Sequence, residues 1–376
     1  MKMKIQMVDL YGQYLKIKEE VDCGIAEVIG SSAFINGTQV GRFASNLSEK
    51  LGCRHVITCA NGTDALQIAL MALGLQPGDE VIVPAFTYVA SAEVIGLLGL
   101  TPVLADVDYD TFNITAESIE KAMTPRTRAV IPVHLYGQPC NMEQIMEVAL
   151  RHDVYVIEDN AQSLGSECSF SGGVTKYSGT IGHFGCTSFF PSKNLGCYGD
   201  GGALFTDDDA LAQKAKMIAN HGQKIKYCHE IIGCNSRLDT IQAVVLDAKL
   251  KHLDEYNGAR RKAAGFYNEG LAGISQIELP KEAEWGTHVY HQYTIKVKDG
   301  RRDALKEYLA ADGIPSMIYY PLPLQAQKAF IPISRVCGTL DVSAGLCGSV
   351  LSLPMHTELT VEIQQKIIGR IRDFFK

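Results

Sequence analysis

The segment Thr187-Ser188-Phe189-Phe190-Pro191-Ser192-Lys193 sets a lysine just past an apolar run, among small hydroxyl residues and ahead of Gly196, Gly199, Gly201 and Gly202. Partial desolvation lowers an amine's pKa and makes it nucleophilic. That is the environment a Schiff base with pyridoxal phosphate requires. For Lys193 taken alone, a solvated loop lysine is the commoner case. A second apolar run, Val154 to Glu158, ends in Asp159 and continues Asn160-Ala161-Gln162-Ser163. A carboxylate at a strand's C-terminal edge can keep a pyridine nitrogen protonated, and Gln162 could reach a ring hydroxyl. A helix N-cap explains Asp159 about as well in isolation. Asn61-Gly62-Thr63-Asp64 lies between a strand and a helix, where free backbone N–H groups bind phosphate, and the Ser188 hydroxyl could join them. Phe86-Thr87-Tyr88 follows another strand end, and an aromatic there can stack on a planar ring. Each of these motifs alone fits an ordinary turn, cap or core.

The elements that must position them alternate. The expected strands are Val56–Ala60, Glu80–Pro84, Pro102–Val107, Ala129–His134, Val154–Glu158, Thr187–Phe190 and Ala203–Thr206. Most are continuous apolar runs, as expected of strands covered on both faces. Helical periodicity between them places helices at Asp64–Leu73, after Thr115, at Met142–His152 and at Ala210–His221. This is an α/β domain around a mostly parallel sheet, and the four motifs fall at strand C-terminal ends, where such sheets bind ligands. Beyond it, long helices are expected at Leu238–Leu253 and Arg260–Leu271, a half-solvated antiparallel strand at Tyr290–Val297, and helices at Arg302–Ala311 and Val361–Phe374. The division between a large α/β domain, 1–254, and a small α+β domain, 255–376, is placed near Asp254.

The chain's 376 residues suit two domains. With 46% apolar and 20% charged residues it supports a large core, and a net charge of −7 argues against a nucleic-acid surface. The N-terminus lacks an apolar signal region, and the most apolar stretch, Val89 to Ala105, is broken by Glu93 and Pro102, so a soluble cytoplasmic protein with no membrane partner is expected. Eleven cysteines without a Cys-x-x-Cys pair read as free thiols, and no metal site is expected. The dinucleotide-binding glycine motif, the P-loop and the Gly-x-Ser-x-Gly elbow are missing, and His229-Glu230-Ile231-Ile232-Gly233 lacks the second histidine of a zinc protease.

In order and residue type these motifs resemble the DegT/DnrJ/EryC1/StrS family of pyridoxal-phosphate-dependent nucleotide-sugar aminotransferases. The markers are Cys59-Ala60-Asn61-Gly62-Thr63-Asp64-Ala65-Leu66, Pro84-Ala85-Phe86-Thr87-Tyr88, Glu158-Asp159-Asn160-Ala161-Gln162-Ser163 and Ser188–Gly202, within a likeness running from Val8 to His356. Leu135-Tyr136-Gly137-Gln138, Thr187–Gly202, His221-Gly222-Gln223 and Asn235-Ser236-Arg237-Leu238-Asp239 resemble the branch that aminates UDP-2-acetamido-2-deoxy-3-oxo-glucuronate for lipopolysaccharide O-antigen sugars. The resemblance implies fold type I, with a large α/β/α sheet domain and a small C-terminal α+β domain.

By the same resemblance Lys193 forms the Schiff base and shuttles the proton. Asp159 holds the ring nitrogen, Gln162 the ring hydroxyl, and Tyr88 stacks on the ring. Gly62, Thr63 and Ser188 bind the phosphate, joined by Asn235 from the second subunit of a homodimer. Arg237 is a candidate for a carboxylate of the uronate or of the amino donor, which is expected to be glutamate, and it could equally bridge the start of the following helix. Tyr319 and Tyr320 are expected near the nucleotide sugar, UDP linkage being implied by the resemblance alone. Relatives often carry histidine where this chain has Tyr319 and where it has Gln325, which leaves the sugar open. A 3- or 4-keto-6-deoxy nucleotide sugar is the alternative substrate. A sugar dehydratase would replace Lys193 with histidine, and a non-catalytic sensing relative would be expected to lose Lys193, Asp159 or Gln162.

Overall fold

The computed structural model describes residues 5–376. Eight strands form one sheet in the order His55–Cys59, Gly202–Thr206, Phe184–Ser188, Tyr155–Asp159, Thr127–Val130, Glu80–Pro84, Thr101–Ala105 and Arg335–Val336. Five of the seven pairings are parallel, and only the Gly202–Thr206 strand runs antiparallel to both neighbours. Strands 80–84 and 202–206 are buried at every position, as their apolar stretches Val81–Val83 and Ala203–Phe205 require. Helices Gly62–Leu73 and Met142–His152 begin at Asn61 and Asn141, whose side chains accept the backbone N–H groups of Asp64 and Gln144. Both therefore start at an asparagine side-chain cap. This is the α/β class with a mostly parallel sheet that the alternation of runs and helices requires.

The strands expected at Ala129–His134 and Pro102–Val107 are Thr127–Val130 and Thr101–Ala105, and the helix expected at Leu238–Leu253 is Thr240–Leu250. Three further differences bear on how the site is held. The strand expected at Thr187–Phe190 is Phe184–Ser188, so Phe189 and Phe190 belong to the loop that carries Lys193. The helix expected from Arg260 starts at Leu253. Asn257 and Gly258 look like breakers, but buried Asn257 hydrogen-bonds the Lys193 loop and the Leu164 carbonyl. The strand expected at Tyr290–Val297 as half-solvated is Tyr293–Val297, buried throughout. It is the middle strand of a three-stranded antiparallel sheet with Ile277–Glu278 and Val350–Leu353. Its polar positions face partners rather than water: Thr294 bonds Ser352, and Lys296 Nζ donates to the Tyr109 carbonyl.

A charged cluster fastens the last strand of the large sheet. The Glu80 side chain is fully buried and accepts from Thr124 Oγ1 at 2.7 Å, Arg126 Nη2 at 2.6 Å and Arg335 Nη2 at 2.9 Å. Burial alone would raise its pKa. The Thr124 hydroxyl and the two guanidinium groups outweigh burial and hold the carboxyl below the ordinary glutamate value. A carboxyl depressed on folding adds stability that is fully present above about pH 5 and is lost as pH falls through its lowered pKa. Glu80→Gln should therefore cost roughly 1–3 kcal/mol near neutral pH. Urea unfolding of both proteins at neutral and acid pH tests this, because the gap between them should narrow in acid.

Candidate active site

A cavity of about 690 Å³ opens at the C-terminal ends of the parallel strands. Its lining brings together nine residues expected from the sequence: Gly62, Thr63, Tyr88, Asp159, Gln162, Ser188, Lys193, Tyr319 and Tyr320. Two expected residues, Asn235 and Arg237, do not line it. Tyr88 stands 55% exposed at the mouth, tilted against Tyr320 with ring centroids 6.0 Å apart.

One wall is the first turn of helix Gly62–Leu73. The Asn61 side chain and carbonyl accept from the N–H groups of Asp64 and Ala65, so the N–H groups of Gly62 and Thr63 are the ones left to a ligand. A Cβ on Gly62 would lie 2.7 Å from Ser188 Cβ. Only glycine lets the helix start meet the strand end closely enough to put the Ser188 hydroxyl beside those donors. Such a turn is built for an anion.

The opposite wall carries the acid. Asp159 is buried, accepts the Ser91 hydroxyl at 2.8 Å on one oxygen and the Ala161 N–H at 3.1 Å on the other. Its bond to the N–H two residues on closes a turn, and no helix follows, so the cap reading does not describe it. Gln162 takes the Tyr136 N–H on Oε1 at 2.8 Å and donates from Nε2 to the Tyr320 hydroxyl at 3.1 Å, keeping one N–H for a ligand. Tyr136, at φ 59°, donates its hydroxyl to the Tyr319 carbonyl. The two tyrosines of the C-terminal region are thereby tied to the floor of the large sheet.

Lys193 completes the set. Its backbone N–H closes a turn on the Phe190 carbonyl at 2.9 Å. Burial pushes the amine down to about 8 against the opposing pull of the Asp159 charge. At neutral pH an appreciable fraction is then a free nucleophile, whereas a solvated lysine is almost wholly ammonium.

Three contributors escaped the sequence reading. Ser91 lies on the helix after Tyr88 and touches Asp159 across a long sequence separation, with no local signal. Buried His291 also lines the cavity, held well below the usual histidine range by burial and then by the charges of Lys193 and Arg260. Buried Ser236 accepts the Ala60 N–H and donates to Asp64 at 2.5 Å, bracing the helix start from behind. Its neighbours on either side, Asn235 and Arg237, are exposed and half-buried. The ionic lining is one lysine with Asp64, Asp159 and Asp200; no arginine lies among the described residues there.

The family model for the DegT/DnrJ/EryC1/StrS aminotransferase family matches residues 15–372. The chain is 44% identical to a pleiotropic regulatory protein of Geobacillus stearothermophilus over 100% of its own length and 99% of the relative's. It is 45% identical to a UDP-N-acetyl-3-dehydro-alpha-D-glucosamine 3-aminotransferase of Acidithiobacillus ferrooxidans, covering 98% and 97%. Against a UDP-2-acetamido-2-deoxy-3-oxo-D-glucuronate aminotransferase of Pseudomonas aeruginosa it is 44% identical, covering 94% and 96%. Among solved structures, Streptomyces venezuelae DesV in complex with a ketimine intermediate superposes with a TM-score of 0.94 at 38% identity, covering 99% of each chain. A match along nearly the whole chain, on a fold carrying the expected lysine and aspartate in one cavity, makes this protein a member of the DegT/DnrJ/EryC1/StrS aminotransferase family.

Proposed function

We propose that the protein uses pyridoxal 5′-phosphate to transfer an amino group from glutamate to the C3 keto group of UDP-2-acetamido-2-deoxy-3-oxo-glucuronate. The reaction would be a cytoplasmic step toward lipopolysaccharide O-antigen or a related glycan. The observation that carries the reading is a desolvated lysine sharing one cavity with a hydrogen-bonded aspartate and a helix start ready for phosphate. Full-length similarity to an aminotransferase of that uronate supports the sugar. A sensing role without catalysis is disfavoured, because Lys193, Asp159 and Gln162 are all present and all face the cavity.

The residues fit this cofactor. The close approach at Gly62 and the N–H groups beside Ser188 suit its phosphate, and Asp159 keeps lone pairs for its ring nitrogen. When bound, the cofactor supplies an aldehyde for amines and an electron-withdrawing ring. In this reading Gly62, Thr63 and Ser188 anchor the phosphate, and Asp159 holds a proton at the ring nitrogen, where its charge is worth most in a water-poor site. Gln162 spends its free N–H on the ring hydroxyl, and Tyr88 covers the ring face. Lys193 Nζ, near half-deprotonated in mildly alkaline solution, moves the proton at the reacting carbon. Residues 1–254 and 255–376 serve as large and small domains, with Tyr319 and Tyr320 carried to the cavity by the second.

We place Asn235 of the partner subunit at the phosphate, in a homodimer with shared sites. Support comes from alternation: Ser236 faces its own chain's helix start, so an extended backbone turns Asn235 and Arg237 to the other side. Arg237 of the partner subunit would supply the cation for the uronate carboxylate that one chain's lining lacks. The absence of arginine from that lining also favours a second reading, a neutral UDP-linked 3-oxo sugar of the glucosamine type.

Purified protein given [15N]glutamate and each keto sugar nucleotide should put the label at C3 of the uronate, as read by mass spectrometry of the product. Label only at C4 of a 6-deoxy sugar would refute the assignment. Arg237→Ala should lower kcat/KM at least ~30-fold for the uronate, the scale of a lost buried charge contact, and less than ~3-fold for the neutral 3-oxo sugar. Equal losses would assign Arg237 to the amino donor or the fold. Mixing inactive Lys193→Ala with inactive Asn235→Ala protein should restore part of the activity, since each mixed dimer has one intact site. Subunit exchange without recovery would contradict a shared site.

A further inference from the structure

The loop that presents Lys193 is gripped from behind by one face of helix Thr240–Leu250. Gln242 and Lys249 lie seven residues apart, two helical turns, so their side chains leave the same side. Gln242 Oε1 accepts the Tyr198 N–H at 2.8 Å, and its Nε2 donates to the Tyr198 carbonyl at 3.4 Å. Lys249 Nζ donates to the Gly196 carbonyl at 2.8 Å and sits 4.6 Å above the Tyr198 ring centre. Between these grips and Lys193 the loop is folded tightly. A Cβ at Gly196 would come within 2.3 Å of the Pro191 carbonyl oxygen, and the Cys197 N–H returns to the Phe189 carbonyl at 2.8 Å.

Lys249 is only 1% exposed and makes no ion pair among the described residues. Burial pushes its amine down to about 8. Neighbouring positions of the helix, Val245 and Leu246, are plain core, and an apolar chain of similar length at 249 would avoid the desolvation cost of an amine. The bond to Gly196 and the contact with the Tyr198 ring, both on the Lys193 loop, are the contacts of that amine. The reaction as proposed above leaves it no other task.

We propose that Lys249 and Gln242 are positioning residues, which fix Lys193 in its reactive place by holding the Gly196–Tyr198 stretch of its loop. The inference rests on Lys193 being the reactive amine, and Lys193→Ala tested alongside separates the two: activity surviving that change would sink the reading of Lys193 itself.

Lys249→Met removes the donor while keeping length and apolar contact. Its kcat should fall at least ~10-fold with KM for the sugar nucleotide changed less than ~3-fold. In the cofactor-free protein, amide hydrogen exchange of peptides spanning 189–202 should quicken at least ~10-fold, while strand Tyr293–Val297 exchanges as in the parent. A kcat within twofold of the parent, an effect on KM alone, or exchange raised equally in all peptides would overturn the proposal. Should Lys249→Met fail to fold, Gln242→Met, which removes the grip at Tyr198 without touching a buried amine, decides by the same three readings.

Discussion

The structure turns on keeping one amine out of water without leaving it unsupported. A lysine removed from solvent loses its proton more readily, and the same removal is unfavourable unless a nearby charge compensates. Lys193 meets both conditions. Burial lowers its pKa to about 8 while the Asp159 charge pulls the other way. Much of the surrounding architecture maintains that balance. Asp159 is pinned by Ser91 and the Ala161 N–H. The loop beyond Lys193 is pinned by Asn194, which donates to Asn257 at 2.6 Å and to the Val289 carbonyl at 3.1 Å. The large sheet supplies the acid and the C-terminal region supplies part of the clamp, so the site depends on both being docked.

Docking is built from backbone as much as from side chains. The short turn Leu135–Gly137 receives the N–H groups of Val289 and Gln292 on the Gly137 and Tyr136 carbonyls. Gly137, at φ 104°, would push a Cβ to within 2.8 Å of the His291 N. A glycine is thus needed where the two regions cross, beside the buried His291 of the cavity wall. On the far edge, Arg335 joins Glu80, so the C-terminal region is fastened to the sheet at both ends of its span.

The large sheet was legible because its strands are covered on both faces and write continuous apolar stretches, as Val81–Val83 does within Glu80–Pro84, whose bounds match the expected strand. The site's own strand ends were legible because a lysine, an aspartate and a glycine-led helix start are unusual sequels to such runs. What the sequence hid is non-local. Ser91 and Ser236 are ordinary serines until the fold sets them against Asp159 and Asp64. The alternation of polar residues at Gln292, Thr294 and Lys296 imitates a solvated face, yet Thr294 is spent on Ser352, Lys296 on the Tyr109 carbonyl, and Gln292 lines the cavity. Asn257 and Gly258 disguised the first turns of a helix because the asparagine works as a brace, which local propensity cannot register.

Catalysis as proposed depends on which amine reacts, and two buried lysines have lowered pKa values near 8. The direct measurement is to incubate cofactor-free protein with pyridoxal phosphate, reduce with borohydride, digest, and locate the modified lysine by mass spectrometry. One label per chain is expected, at Lys193, with Lys249 unmodified. A label on Lys249, or labels scattered over surface lysines with Lys193 free, would contradict it.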